Sequence, residues 1–287
     1  MTRAGVLILL MASACGAANV FTSDPNFVAL WNFESGALTT DSSGNGNTLT
    51  PTGSPAADDV NFVQGVASCD FPATANDQFA IADASLPDGF PFKSNDISLQ
   101  ISVSCWFRFD DDLAEGEFRG LWSKDGGSKY TIACLLYRDA NGRCLRMLGG
   151  YNSGNSYRTW TINAANGENA PYLIEDQWYH LTVTYHGLTK SMMAYVWDGT
   201  TQTADGPATI PNSGDTLNVE DSPFTVGKSG LTGCLYWNGQ IDEVVVFNDI
   251  LTEQQAIDIR SGTFGATSPG SSNRNRIHQQ YYHHYGR

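Results

Sequence analysis

Basic residues are scarce in this chain. Sixteen Lys and Arg stand against 30 Asp and Glu, a formal net charge of -14. An acidic surface repels phosphate backbones, which argues against nucleic acid as a partner of the main domain. The same charge suits solubility and favours cations such as calcium. After the first residues there is no apolar run long enough for a membrane helix, so no transmembrane segment is expected. No paired C-x-x-C spacing exists to build a zinc site. The hydrolase motifs G-x-S-x-G and H-E-x-x-H are missing, and no repeat recurs at periods of about 20–50 residues. Helical periodicity is nearly absent as well. What is plentiful is core material: 41% of residues are hydrophobic, with 14 Phe, 12 Tyr and 7 Trp. That content excludes general disorder.

The start of the chain reads as a leader. Met1-Thr2-Arg3 is a short basic opening, Ala4 to Ala14 is apolar, and small residues run through Ala18. An apolar stretch of about ten residues is too short to span a bilayer and suits a signal peptide over 1–18. Gly16-Ala17-Ala18 offers the cleavage site, and cleavage before Cys15 would instead give a lipoprotein. The expected location is secreted or cell surface. Five further cysteines remain, and an exported protein can oxidise them. Cys134 and Cys144 flank the turn-prone Asp139-Ala140-Asn141-Gly142, which makes them one candidate disulfide. Cys69 and Cys234 are a second, and Cys105 reads as buried and unpaired. The alternative is that all five are reduced small hydrophobes.

Strand signals fill residues 27 to 248, as short apolar or alternating runs separated by Gly, Asn, Asp and Pro. Leu99–Phe109 is the clearest. Leu99, Ile101, Val103, Cys105, Phe107 and Phe109 share one face, and Gln100, Ser102, Ser104, Trp106 and Arg108 share the other. Further runs fall at Phe27–Phe33, Gln78–Ala82, Tyr130–Tyr137, Leu145–Leu148, Tyr157–Ile162, Trp178–Tyr185, Met192–Trp197, Phe224–Val226 and Leu235–Phe247. One helix is expected over Thr252–Arg260, with Thr252 as cap, Gln255 at the capping-box position and Gly262 as stop signal. From Thr263 the composition becomes that of a flexible linker, followed by a basic Tyr- and His-rich tail to Arg287. The expected organisation is therefore a leader, one domain over 19–262, and a tail over 263–287.

Several segments, taken in order, resemble the laminin G-like jelly-roll family of the concanavalin A-like lectin/glucanase superfamily. They are Leu30-Trp31-Asn32-Phe33-Glu34 with Asp41-Ser42-Ser43-Gly44-Asn45-Gly46-Asn47; Ser104-Cys105-Trp106-Phe107; Leu121-Trp122-Ser123-Lys124-Asp125-Gly126; Trp178–Tyr185 with Ala194–Gly199; and Trp237–Asn248 with Leu251-Thr252-Glu253. The resemblance covers about 230 residues, all but the leader and the tail. It implies an all-β sandwich of two antiparallel sheets, one of them concave, with one short C-terminal helix. It also implies calcium near the Asp41 loop and Asp242. Asp41, Asn45 and Asn47 offer hard oxygen ligands, and Asp242 is a carboxylate among core residues that needs a partner. Asp41, Asn45, Asn47 and Asp242 are the candidate metal ligands. The alternative is that the two Asp accept backbone N–H bonds.

Such a fold fits three roles. The first is a binding module for a glycan or an extracellular protein. Aromatic rings would stack on sugar faces while polar groups meet the hydroxyls. Trp106, Arg108, Tyr151, Tyr157, Trp160 and Trp197 are the candidates. The second is a structural or adhesive surface protein, including a virion appendage, that self-associates through the tail. The third is a glycoside hydrolase, which needs two carboxylates about 5 Å apart. Alternation from Asp242 gives Val244 and Val246, so the catalytic pair is missing and no enzyme is expected. His180 and His186 read as surface histidines, since no nucleophile motif accompanies either.

Overall fold

The computed structural model describes residues 19–72, 76–110, 113–126, 130–151, 156–162, 172–210 and 216–266. The leader expected over 1–18, with Cys15, and the tail from 267 lie outside the described residues.

Among the described residues fifteen strands and one α-helix follow in order. They are β1 Phe27–Trp31, β2 Thr50–Thr52, β3 Ala56–Asp58, β4 Ser68–Phe71, β5 Gln78–Ile81, β6 Gln100–Phe109, β7 Phe118–Lys124, β8 Ile132–Arg138 and β9 Arg143–Tyr151. Then come β10 Ser156–Ile162, β11 Tyr179–His186, β12 Ser191–Trp197, β13 Gln202–Thr209, β14 Phe224–Val226, β15 Gly239–Phe247 and the helix α1 Glu253–Arg260. One eight-stranded sheet runs β13-β12-β11-β6-β15-β4-β3, with β1 also pairing to β15. A seven-stranded sheet runs β10-β9-β8-β7-β14-β5-β2. The pairs between these strands are antiparallel, as expected for the jelly roll.

The two sheets bury one aromatic-rich core. Ile101, Val103, Cys105, Phe107 and Phe109 of β6 all enter it, as their alternation demands. Leu99 lies just outside the strand at φ 50°. From the facing sheet come Trp122, Cys134, Leu136, Leu145, Met147 and Phe224. Trp31 stacks on Phe224 with ring centroids 5.4 Å apart, and its Nε1 donates to Asn47 O at 2.8 Å. Each such buried aromatic contributes about 1.5–3 kcal/mol of transfer free energy.

Each outer face carries a second, smaller cluster. Outside the eight-stranded sheet, α1 and the segments around Phe21 and Phe264 cover Leu30, Val245 and Phe247, with Leu251 and Ile259 in the same cluster. Thr252 caps α1 in a complete capping box with Gln255, as its sequence predicts. Phe264 is only 5% exposed and its carbonyl accepts from Val20 N. The packed domain thus continues past the expected boundary at 262. Outside the seven-stranded sheet, Leu231 and Cys234 cover Ala133, Leu135 and Leu148.

The expected disulfides do not form: Cys69, Cys105, Cys134, Cys144 and Cys234 are all free and buried. Cys134 stands opposite Met147 and Cys144 opposite Tyr137. The two cysteines are therefore three positions apart along the ladder, roughly 10 Å, and on opposite faces. A disulfide needs Cα atoms within about 7 Å. Cys69 lies in the inter-sheet core, whereas Cys234 lies outside the seven-stranded sheet. Burial raises the thiol pKa of Cys105 and Cys134, so both behave as hydrophobes.

Candidate functional site

The outer face of β8, β9 and β10 is covered at Ala133, Leu135 and Leu148 by Leu231 and Cys234 and is open along β10. Because Leu136, Leu145, Met147, Trp160 and Ile162 point into the core, the alternate residues Tyr137, Arg146, Leu148, Tyr157, Thr159 and Thr161 point outward. The hairpin turn over 139–142 fixes the register: Arg138 pairs with Arg143, so Arg146 is the diagonal neighbour of Tyr137. The Arg146 guanidinium carbon lies 3.2 Å from the Tyr137 ring centroid. Arg146 Nε donates to Thr161 Oγ1 at 3.0 Å, which fixes the plane of the group. One side of the strip ends on an aromatic pair, with Tyr130 and Tyr157 centroids 5.0 Å apart and edge-on. Gly150 makes this possible, since a Cβ there would fall 1.9 Å from Tyr130 O. Tyr157 is 44% exposed, and Thr159 is exposed beside it. Lys228 sits 4.3 Å from the Tyr236 ring on the loop that covers the rest of the face.

The outer face of the eight-stranded sheet is filled. Trp106 packs edge-on against His180 at 4.9 Å and Trp197 at 5.4 Å. Arg260 of α1 lies over Trp197 at 4.8 Å. Trp106 and His180 are buried. His180 is thus not the surface histidine expected: its Nε2 meets Ser104 Oγ at 3.0 Å, and Ser104 meets Thr182 at 2.8 Å. Burial, with Arg260 adding to it, lowers the His180 pKa to about 3. His186 is half-buried, and its Nδ1 accepts from Leu188 N and Thr189 N. Arg108 is bound by Asp110 at 3.1 Å, by Asp176 and by Gln240.

The candidate metal residues separate into two places. Asp41, Asn45 and Asn47 stay together, but their donors face the space a cation needs. Asp41 accepts from Leu30 N, Ser43 N, Ser43 Oγ, Asn47 N and Asn47 Nδ2 at 2.8–3.1 Å. Asn45 and Asn47 both turn Nδ2 onto Val28 O. Burial pushes the Asp41 carboxyl up, but these donors together bring it below the usual range. The loop is a hydrogen-bonded clamp on β1, with Asn47 Oδ1 buried and without a partner.

Asp242 differs. β4 pairs with Gly239–Ile241 and β1 with Val244–Phe247 along the same side of β15. Asp242 and Glu243 fall in the gap, at a bulge where Glu243 takes φ 50°. Val63 N and Gln64 N donate to Asp242 Oδ2 at 3.0 and 3.1 Å, while the buried Oδ1 has no partner. Glu243 accepts from Asn32 Nδ2 at 3.0 Å, and Glu34 accepts from Val66 N at 3.1 Å. Burial, reinforced by the neighbouring carboxylates, raises Asp242 to about 7 and Glu243 to about 8. An orphaned oxygen beside two further carboxylates suits a cation. Among the described residues, no three His, Cys, Asp or Glu side chains converge as a metal group. A cation here would therefore need main-chain or water oxygens as well.

The six sequence-predicted binding residues do not form one site. Trp106, Arg108 and Trp197 lie on the filled face, Trp160 is in the core, and Tyr151 is half-buried at the end of β9. Only Tyr157 belongs to the open strip. Tyr130, Tyr137, Arg146, Thr159 and Thr161 were missed. The outward alternation of Arg146 and the turn at 139–142 were the signals for them.

A laminin G-like family model, described as the concanavalin A-like lectin/glucanases superfamily, matches residues 75–256. No curated protein sequence matches. Among solved structures, domain 4 of the extracellular arabinanase AbnA from Geobacillus stearothermophilus, in complex with arabinotriose, aligns over 85% of this chain and 100% of that one, at 18% identity and TM-score 0.53. The binding domain of Paraclostridial Mosquitocidal Protein 1 aligns over 82% of this chain and 52% of that one, at 16% identity and TM-score 0.57. The enzymatically active domain of tailspike protein 2 from bacteriophage CBA120 aligns over 75% and 30%, at 13% identity and TM-score 0.51. This chain thus spans about half of the toxin domain and less of the tailspike. These likenesses are of fold, and with the family match they settle membership: the chain belongs to the laminin G-like family of the concanavalin A-like lectin/glucanases superfamily.

Proposed function

We propose that the chain is an exported, non-enzymatic module that binds a carbohydrate on the outer face of β8–β10. One observation carries the reading. Tyr157 is exposed and braced edge-on by Tyr130, with Thr159 and Thr161 following it at alternate positions of an edge strand. A braced ring offers a flat apolar platform, and the hydroxyls meet those of the sugar. The arabinotriose held by a domain of the same fold supports this. An extracellular protein partner has similar support from fold alone, in a botulinum neurotoxin binding domain in complex with synaptotagmin II, but no comparable feature on this face. Binding rather than cleavage is favoured by Asp242, which is fully buried and tied to backbone N–H groups, whereas a hydrolase sets its carboxylates on either side of an accessible bond. Calcium belongs to this proposal at Asp242, not at the Asp41 loop.

Affinity electrophoresis against a panel of neutral and acidic polysaccharides tests it. Retardation by at least one polysaccharide is expected, weakened about tenfold in Tyr157→Ala. No retardation by any glycan, or unchanged retardation in that variant, removes the reading.

A further inference from the structure

The glycan strip also carries a cation whose arrangement selects a ligand class. In a chain of net charge -14, several cations are held by carboxylates: Lys93 by Asp88, Lys124 by Asp83, Arg108 by Asp110 and Asp176, and Arg143 by Glu175. Others donate to backbone carbonyls, as Arg138 does to Leu113 O and Lys228 to Cys234 O. Arg146 is held in neither way. Among the described residues no carboxylate contacts it. Tyr137 supports its face at 3.2 Å and Thr161 takes its Nε–H at 3.0 Å. Those contacts hold the guanidinium in one orientation and leave its two terminal nitrogens free. A planar pair of parallel N–H donors matches a carboxylate in bidentate geometry, which an ammonium cannot do.

The spacing extends the argument. Thr161 and Tyr157 lie four residues apart on β10, roughly 13 Å, with Thr159 outward between them. Ring, hydroxyl and hydroxyl therefore follow one another along the edge strand, and the cation of Arg146 lies beside the last of them on the neighbouring strand. A single sugar cannot reach from the ring to the cation, whereas an oligomer can. Resting on the carbohydrate reading above, we infer that this strip takes a carboxylate-bearing oligosaccharide, with Arg146 pairing a uronate carboxylate and Tyr157 stacking on a neighbouring ring.

The test is calorimetric titration of the full chain at low salt with oligomers of galacturonate and of mannuronate, and with their methyl esters, which keep the sugar and remove the charge. The acid form of at least one should bind about tenfold more tightly than its ester, and added salt should narrow the gap. Arg146→Gln should abolish the preference, bringing the acid-to-ester affinity ratio to about one. Arg146→Lys should restore part of the preference, since the charge returns without the fork. Acid and ester binding alike, or a preference that survives Arg146→Gln, overturns the inference. If acid and ester oligomers bind equally, and Tyr157→Ala weakens both while Arg146→Gln weakens neither, the carbohydrate reading stands and this inference falls. If no oligomer binds in any form, both fall.

Discussion

The two sheets use their inner faces alike, and their outer faces differ in cover: among the described residues the cluster over the seven-stranded sheet reaches Ala133, Leu135 and Leu148 but not β10. Outside the eight-stranded sheet, polar side chains are turned on one another and on α1: His180 on Ser104, Arg108 on its carboxylates, Arg260 on Trp197. Outside β8–β10, Tyr157 is exposed and Arg146 has no carboxylate. Identical period-2 patterning produces both faces, because alternation specifies only what points inward. What lies over the outward set is decided by segments remote in sequence, here α1 and the segments around Phe21 and Phe264 on one side. A covered face contributes stability, and an uncovered one is available for recognition.

The largest expected effect follows directly. Phe247 stands at the centre of the covered face, fully buried against Phe21 and Phe264 at 6.0 and 5.4 Å. Phe247→Ala should destabilise the protein by about 3–5 kcal/mol. Tyr157→Ala on the open face should cost less than about 1 kcal/mol, the loss of one exposed aromatic pair. Urea unfolding of both variants makes the comparison. Similar losses would mean that the β8–β10 face is as structural as the other.

How much of this was legible turns on what each residue does. β6 and α1 could be read because burial and capping act locally: Ile101 to Phe109 alternate without a break, and Thr252 with Gln255 closes its own box. β13 was not read, for it is an exposed edge strand containing Gly206 and Pro207 with no apolar alternation. The short β2, β3 and β4 gave too few residues for a period. Trp106 and Trp160 were placed at the surface because an outward or polar neighbourhood does not reveal what packs over it. Trp106 proved covered by Trp197 and His180, and Trp160 faces inward because Tyr157 does not. Arg146 was missed for the complementary reason. Its importance comes from a cross-strand diagonal to Tyr137, and a residue-by-residue reading of one strand does not contain the register.

A middle-sized effect separates the two candidate calcium places, one clamped on β1 and the other in the gap between β4 and β1 along β15. Saturating calcium should raise the thermal midpoint, equivalent to about 3 kcal/mol at a hundredfold excess over Kd. Asp41→Asn should lower the baseline midpoint, because it weakens a carboxylate that accepts from five donor groups, yet keep the calcium response. Asp242→Asn should lose the response, since its buried carboxylate Oδ1 has no partner, whereas both carboxylate oxygens of Asp41 are taken by N–H and O–H donors. The reverse pattern would return the metal to the Asp41 loop, and no response in the wild type would remove calcium from the proposal.

The smallest expected effect concerns the covered face and pH. His180 has its pKa lowered to about 3, first by burial and then by Arg260. The unfolded histidine titrates near 6.5. Between these values the unfolded chain binds a proton that the folded chain refuses, so stability contributed by the neutral ring is present above about pH 6.5 and is lost as pH falls toward 3. Asp242 and Glu243 act in the opposite sense, since their pKa values are raised and their neutral forms favour the fold at acid pH. The two trends overlap, so the histidine must be isolated by substitution. His180→Gln keeps an acceptor for Ser104 and removes the titration. The loss of stability between pH 6.5 and 4.5, followed by urea midpoints, should shrink in this variant by about 1 kcal/mol or more. An unchanged pH slope would show that water or a proton reaches His180 in the folded state. The face described as sealed by Trp106, Trp197 and α1 would then be open, and the contrast between the two faces would have to be drawn elsewhere.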